Sequence, residues 1–214
     1  MARTVAPLLS FNAGGQIAKT QVYATWKGRP YVRRYVVPSN PNTAQQQMTR
    51  NVFSWLMQAW KFWPAGAIDA WDAYADSLRI TNRNAFAKLN VSPLREQTTI
   101  TAITLSPAAK SGIVAQAAVP TPGAGQITMT LTPPDLPNGW EISRAYALAI
   151  QQQDPTTEQD FRIGSAFDDT APWAPVITGL EAGQLYVVGG WFRYLKPDGS
   201  FAFGQSVQST STPS

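Results

Sequence analysis

Residues 184–210, QLYVVGGWFRYLKPDGSFAFGQSVQST, consist of short runs rich in β-branched and aromatic residues, separated by turn residues. Within this stretch KPDGS lies between GGWFRYL and FAFGQSV, and Pro-Asp-Gly between apolar runs is a strong signal for a hairpin turn. Side chains that alternate with a period of two indicate strands. The stretch therefore predicts a β-hairpin within an all-β part of the chain.

The same period extends upstream to about residue 125. QITMTLTP (126–133) alternates polar and apolar residues, and SRAYALAIQQQ (143–153) alternates alanines with Tyr146, Leu148 and Ile150. About seven short strands separated by turn signals are typical of a small sandwich of two sheets. Residues 125–214 are therefore predicted to form a β-sandwich.

Three segments of this region, QITMTLTPP, VITGLEAGQLYVVGGWFRY and SVQSTST, resemble a fibronectin type III-like module. In that family a Leu-x-x-Gly-x-x-Tyr pattern precedes a core strand, and here it corresponds to Leu180, Gly183 and Tyr186. Trp140 corresponds to the early core Trp of the same fold. The resemblance implies an immunoglobulin-like sandwich, and a fold alone implies no function.

The front of the chain has other patterns. Residues 1–20 contain paired glycines without a clear period, which predicts an extended arm that orders on a neighbour. QVYATW (21–26) and YVRRYVV (31–37) flank the turn-forming tetrapeptide KGRP, and together they predict a β-hairpin.

Helical periodicity follows the predicted hairpin. Apolar residues at spacings of three and four predict helices over 44–63 and 67–78, and a last short helix follows over TNRNAFAKLNV. Asn40 is expected to be the N-cap of the first helix, with Pro41 at the first helical position, and Asn42 and Thr43 are the alternatives.

The sequence as a whole predicts an α+β protein, with a hairpin-plus-helices domain followed by the all-β sandwich. Four parts are expected along the chain. They are an extended arm (1–20), a hairpin-plus-helices docking domain (21–90), a linker or crossing strand rich in Thr, Ala, Ser, Pro and Gly (91–124), and the sandwich (125–214).

Charge is distributed unevenly along the chain. The first 68 residues hold eight basic residues and no acid, and nine basic residues and thirteen acids follow from Asp69 onward. An asymmetry of this kind indicates that the front of the chain faces an acidic partner.

The composition excludes much of the usual catalytic chemistry. The chain has no His and no Cys, which removes the commonest general base, the thiolate nucleophiles and the usual zinc ligands. Asp69, Asp72 and Asp76 share a helical face, and Asp168 and Asp169 form a pair, but each set is more typical of a solvated surface than of a metal site. We therefore expect no enzyme activity, no cofactor and no metal.

The hairpin and first helix combine basic and aromatic residues, which suits docking on an acidic protein surface. Binding of nucleic acid, with Arg on phosphates and aromatics stacked on bases, is an alternative, and simple packing of the aromatics is another. Trp55 and Trp60 are not expected to face one core together, although burial by three helices and the hairpin is the competing interpretation. The candidate docking residues are Trp26, Lys27, Arg29, Tyr31, Arg33, Arg34, Tyr35, Arg50, Trp55 and Trp60.

A second resemblance covers roughly residues 11–90. The elements GG, WKG, YVRRYVVPSNPNT, AWDAYA and NRNAFAKLN resemble small virion structural proteins of tailed bacteriophages and prophages. The residues that carry it are Gly14, Gly15, Trp26, Lys27, Gly28, Val32, Arg33, Asn40, Pro41, Thr43, Gln46, Arg50, Phe53, Trp71, Asn84 and Phe86.

This resemblance implies a non-enzymatic particle protein that binds capsid or tail subunits and is present in repeated copies or as a homo-oligomer. A capsid decoration or cement role is the first expectation, and a tail, neck or baseplate component is the second. The alternatives are a glycan-binding adhesion module, with Trp173, Trp191 and Tyr194 stacked on sugars, and a nucleic-acid-binding accessory protein. We expect localisation in the virion after synthesis in the host cytoplasm, since the sequence has neither a signal peptide nor ~20 consecutive apolar residues.

Overall fold

The chain divides into two compact units, Met1–Asn42 and Thr43–Ser214. Helices and antiparallel sheets are both present, which confirms the predicted α+β class. The computed structural model describes residues 2–3, 14–26, 29–37, 39, 42–64, 66–97, 99–107, 113–156 and 162–214.

The described part of the first unit forms one antiparallel sheet. Its strands are β1 (Ala2–Arg3), β2 (Gly15–Ile17), β3 (Gln21–Trp26) and β4 (Arg29–Arg34). They lie in the order β1-β4-β3-β2, and the predicted hairpin is confirmed as β3 and β4. The predicted extended arm is wrong where it is described, because β1 and β2 pair with the two sides of this hairpin. Such short strands give no recognisable period in a sequence.

Helices begin the second unit, at positions close to those predicted. The elements are α1 (Ala44–Ala59), 3-10 turns at Trp60–Phe62 and Ile68–Trp71, α2 (Asp72–Leu78) and α3 (Asn82–Arg95). Thr43 caps α1 by accepting the Gln46 N–H at 3.4 Å, whereas Asn40 lies outside the described residues. Thr81 caps α3 in the same way. Within the described part of the chain, no helix is long and apolar enough to span a membrane.

Arg79, which follows the last residue of α2, is a non-glycine residue in the left-handed backbone conformation. Arg79 has φ 55°, the Arg79 N–H donates to Asp76 O at 3.1 Å, and the Ile80 N–H donates to Ala75 O at 3.1 Å. This is the Schellman arrangement, in which glycine is the preferred residue. Arg79 therefore carries local backbone strain that glycine would not.

Replacing Arg79 with Gly is expected to raise the free energy of unfolding by about 1 kcal/mol, because the left-handed strain is removed. Urea titration followed by circular dichroism measures the change. Arg79→Ala is the matched control, since it removes the guanidinium but keeps the Cβ, and it should not stabilise. Equal stabilisation by both substitutions would show that charge, rather than backbone strain, is responsible.

The strands of the second unit form two antiparallel sheets. They are β5 (Ala117–Gly123), β6 (Gln126–Thr132), β7 (Glu141–Gln151), β8 (Ile163–Asp168), β9 (Val176–Thr178), β10 (Tyr186–Leu195), β11 (Phe201–Phe203) and β12 (Val207–Ser211). One sheet has the order β11-β10-β7-β8 with β12 also on β10, and the other has the order β5-β6-β9. The predicted KPDGS turn joins β10 to β11, and there the Lys196 N–H donates to Ser200 O at 2.9 Å.

The described elements of the second unit stack in three layers, with the larger sheet in the middle. One core cluster joins Trp55 of α1 to Leu148 and Trp191 of the larger sheet. The other joins Ala147 of that sheet to Ile127 of the smaller one. Since successive strand residues point to opposite faces, β7 and β10 are buried on both sides.

This arrangement corrects the predicted domains. A boundary between a docking domain at 21–90 and a sandwich at 125–214 does not separate compact units, because the helices cover one face of the larger sheet. The unit boundary lies instead between Asn42 and Thr43. The physical reason is that Tyr146, Leu148 and Ile150 form an apolar face of the larger sheet, and the helices bury that face.

The predicted linker at 91–124 is also wrong. α3 extends through its first residues and β5 occupies its end. Between them, Ile100, Ile103 and Leu105 are buried in the core cluster shared by the helices and the larger sheet. The TTITAITL segment does not form the crossing strand that was predicted as an alternative, although Thr98 lies outside the described residues. It is an irregular segment fixed by buried side chains.

Candidate docking surface

The sheet of β1 to β4 is the only place where most of the predicted docking residues come together in the described structure. It carries Arg29, Arg33 and Arg34, all exposed, with Tyr31 and Tyr35 half-buried. The unit contains no acidic residue. We call it the cationic sheet.

A tight turn fixes the register of the cationic sheet. Ala18, Lys19 and Thr20 connect β2 to β3; Ala18 and Lys19 have φ 43° and 55°, and the Thr20 N–H donates to Ile17 O at 2.8 Å. Positive φ at both central positions of this turn suits the twist of the flanking strands. The Tyr35 N–H donates to Thr20 O at 2.8 Å and continues the pairing beyond β4.

This register distributes the arginines over both faces of the sheet. Val22 lies opposite Arg33, and Gln21 lies opposite Arg34. Directly opposite residues of an antiparallel pair share a face, whereas neighbours along one strand do not. The Cβ atoms of Arg33 and Arg34 therefore point to opposite faces of the sheet, so positive charge is present on both faces at this end.

A groove of about 470 Å³ lies where β4 ends. Two guanidinium groups and an amide contribute donors, and two valines and a tyrosine contribute apolar surface. Among the described residues, neither Arg33 nor Arg34 has a carboxylate within ion-pair distance. The lining residues are Gln16, Val22, Arg33, Arg34, Tyr35 and Val36. Guanidinium groups in such a groove can bind a carboxylate or a phosphate through paired N–H donors.

The cationic sheet has no core of its own in the part that is described. No described side chain before Val52 is buried. Val36 and Val37 are 67% and 71% exposed. Apolar surface of this kind beside positive charge can be buried by a partner, and burial of such surface is the main source of binding free energy.

Three residues of this groove were not predicted from the sequence. Val22 lies there because it is opposite Arg33, and the pairing of the strands also explains the other two. Gln16 reaches it because β2 pairs with β3, and Val36 because the chain continues past β4. Neither Gln16 nor Val36 belongs to a sequence pattern that would predict a place in a docking surface. Of the remaining predicted residues, Lys27 lies outside the described residues, and Trp26 is described only as the backbone partner of Arg29.

Trp55 and Trp60 do not belong to a docking surface. Trp55 is fully buried and Trp60 is 8% exposed, both in the core cluster under the helices. The expectation that they cannot share a core is wrong, because Trp60 follows the buried Leu56 by four residues and so lies one turn further along the same core-facing side. Its ring lies 5.2 Å from that of Phe86.

Arg50 lies on a different surface from the arginines of the cationic sheet. It lines a groove between α1 and α3 in the second unit. Arg50 was predicted to act with the hairpin because the two are close along the chain.

The acidic clusters offer no metal site. Arg144 binds Asp169 through both carboxylate oxygens, the second at 2.7 Å, and this interaction lowers the pKa of Asp169. Burial raises the pKa of Asp168, but hydrogen bonds from Ala174 and Thr170 outweigh it and hold the pKa below its ordinary value. Within the described residues, no group of three or more acidic side chains could hold a metal ion.

The aromatic residues considered for sugar binding pack inside the second unit. Trp191 and Tyr194 are fully buried, and Trp173 is half-buried with its ring 6.1 Å from that of Phe192. Burial raises the pKa of Tyr194. Trp191 and Tyr194 have no exposed face on which a sugar could stack.

Comparison with solved structures finds several chains that are similar to part of this one. No family model and no curated protein matches the chain. A solved structure titled "Myokine structure" aligns with 48% of this chain and 98% of its own, at 16% identity and a TM-score of 0.31. A similarity at this TM-score supports no conclusion about fold or function.

Proposed function

We propose that this chain is a non-enzymatic structural protein of a tailed-phage particle, which docks on an acidic protein surface through the cationic sheet. The observation that carries the proposal is the groove of Arg33 and Arg34, in a unit without a single acidic residue. The resemblance of residues 11–90 to phage virion proteins specifies the setting. Capsid decoration in repeated copies is the first role, and a tail, neck or baseplate position is the second.

A protein partner fits the cationic sheet better than a nucleic acid does. Proteins that bind nucleic acid present a dense basic stripe that follows the phosphates. Here Arg33 and Arg34 begin on opposite faces, and their groove also contains Val22 and Val36. A carboxylate beside an apolar residue satisfies both features of the groove.

The sandwich of the second unit is proposed to be fibronectin type III-like. Tyr186 is fully buried, and its hydroxyl accepts the Glu181 N–H at 2.9 Å. A tyrosine that bonds back to the backbone just before its own core strand is a feature of immunoglobulin-like sandwiches. Glycan binding by this sandwich has less support, because Trp191 and Tyr194 are buried.

Replacing both Arg33 and Arg34 with Glu is expected to reduce incorporation of the chain into particles by at least about tenfold, because the groove would then repel carboxylates. Quantitative mass spectrometry of purified particles measures the copy number relative to the main shell subunit. Lys61→Glu is the control, since Lys61 is exposed and lies outside the cationic sheet. Circular dichroism should show the variant folded.

The possible outcomes test two claims independently: docking through the cationic sheet, and the position of the chain in the particle. Normal incorporation of the double variant would refute docking through the cationic sheet. Absence of the unmodified chain from particles would refute the virion role. A near-stoichiometric copy number indicates capsid decoration, and a handful of copies indicates a neck, tail or baseplate position.

A further inference from the structure

A second groove lies in the second unit, between the N-terminal half of α1 and the C-terminal half of α3. Its volume is about 670 Å³. α1 turns Val52, Trp55, Leu56 and Ala59 into the core, so the groove lies on the other side of the helix. The residues that matter for recognition are Gln46, Thr49, Arg50, Phe53, Val91 and Arg95.

The floor of this groove is apolar. Phe53 of α1 is 44% exposed, because other residues of that helix form its buried face. Val91 of α3 is half-buried. A partner residue that covers Phe53 and Val91 removes aromatic and aliphatic surface from water, which favours binding.

The rim of this groove is cationic. Arg50 projects from α1 and Arg95 from the last turn of α3, and Arg95 is exposed. None of the described residues that line the groove is acidic, and α1 contains no acid. The Thr49 hydroxyl already donates to Gln45 O at 2.9 Å, so the exposed Arg95 is the main group for recognition of a negative charge. The groove therefore complements a ligand with an apolar centre and negative flanks.

We propose that this groove docks an amphipathic, acidic α-helix of a protein partner. Both walls are helices whose backbone groups are bonded internally, so an added strand would find no edge to pair with. A helix instead presents apolar residues at i, i+3, i+4 and i+7 to the floor, with Asp or Glu beside them facing Arg95. Nucleic acid fits less well, because the two arginines flank an apolar floor rather than forming a track for phosphates.

The test is selection from a displayed library of peptides of about 15 residues, the length at which isolated helices begin to form, against the immobilised full chain. Recovered peptides should carry Asp or Glu beside Leu or Phe at helical spacing. Fluorescence anisotropy should show binding weakened at least about tenfold by Arg95→Glu and by Phe53→Ser. Arg83→Glu is the matched control, because Arg83 is exposed on α3 and does not line the groove.

Several results would overturn the proposal. They are a library without binders, binders without acidic residues, and binding that Arg95→Glu leaves unchanged. Binding of labelled oligothymidine that is lost in Arg95→Glu would assign the groove to nucleic acid instead. The Arg33→Glu/Arg34→Glu variant should bind the peptides normally, and loss of binding there would move the site to the cationic sheet. This inference therefore stands or fails separately from the proposed function.

Discussion

Replacing Asn90 with Ala is expected to lower the free energy of unfolding by about 3 kcal/mol, because buried hydrogen bonds are lost without replacement. Asn90 is 1% exposed on α3. Its amide donates to Phe86 O at 3.0 Å and to Thr104 O at 3.1 Å, and its carbonyl accepts the Thr104 N–H at 2.7 Å. The substitution leaves both backbone groups of Thr104 without these partners. Urea titration measures the loss.

Two further variants isolate the role of the Asn90 amide. Asn84→Ala changes an exposed asparagine on the same helix and should cost no more than about 0.5 kcal/mol. Asn90→Asp keeps an acceptor for the Thr104 N–H but removes both donated bonds and buries a carboxyl group, so it should also destabilise. If Asn90→Ala costs no more than Asn84→Ala, the amide does not hold the irregular segment in place.

The irregular segment shows what composition cannot predict. Residues 99–107 contain Thr, Ser and Pro, which favoured a linker. Their position depends on polar contacts from distant residues. Asn90 holds Thr104, the Gln208 side-chain amide bonds to both backbone groups of Ile103, and the Ser106 hydroxyl donates to Gly204 O at 2.7 Å. The contacts of Gln208 and Gly204 join residues that lie 105 and 98 positions apart in the sequence, and such contacts leave no local pattern.

Local patterns, in contrast, predicted the secondary structure well. The spacing of apolar residues in α1 and the turn at KPDGS act within a few residues and were predicted from the sequence, and the cap at Thr43 was one of the two alternatives to Asn40. The packing of the helices and the two sheets into three layers was not predicted. The alternation of alanines with Tyr146, Leu148 and Ile150 on β7 predicted a strand, but its consequence, burial on both faces, was not recognised.

The candidate docking surface was predicted in part for the same reason. Charge counts located the basic hairpin, and the structure places Arg33 and Arg34 at one groove. Gln16 and Val36 enter that groove only through the register of the sheet, which a sequence does not specify. Trp55 and Trp60 were misassigned because the core-facing side of α1 is wide enough to include both Trp55 and the position four residues after Leu56.

Gly189 and Gly190, in the middle of β10, allow the neighbouring layers of the second unit to pack closely on this strand, and replacing either residue with Ala is expected to cost about 2–3 kcal/mol through overpacking. A Cβ on Gly189 would overlap Leu105 Cδ1 on the helical side. A Cβ on Gly190 would lie 2.6 Å from Leu131 Cδ2 of the smaller sheet and 3.1 Å from Tyr146 O of the neighbouring strand β7. Each glycine thus lets one neighbouring layer approach β10. Urea titration measures both costs.

Double variants identify the layer that each glycine accommodates. Leu131→Ala should relieve Gly190→Ala, and Leu105→Ala should relieve Gly189→Ala, with a coupling of about 1 kcal/mol or more in each cycle. The mismatched pairs, Gly190→Ala with Leu105→Ala and Gly189→Ala with Leu131→Ala, act on opposite faces and should be additive. Equal coupling in matched and mismatched pairs would mean that the glycines are needed for the strand itself. Coupling confined to the matched pairs would show that the three-layer stacking depends on the absence of two side chains.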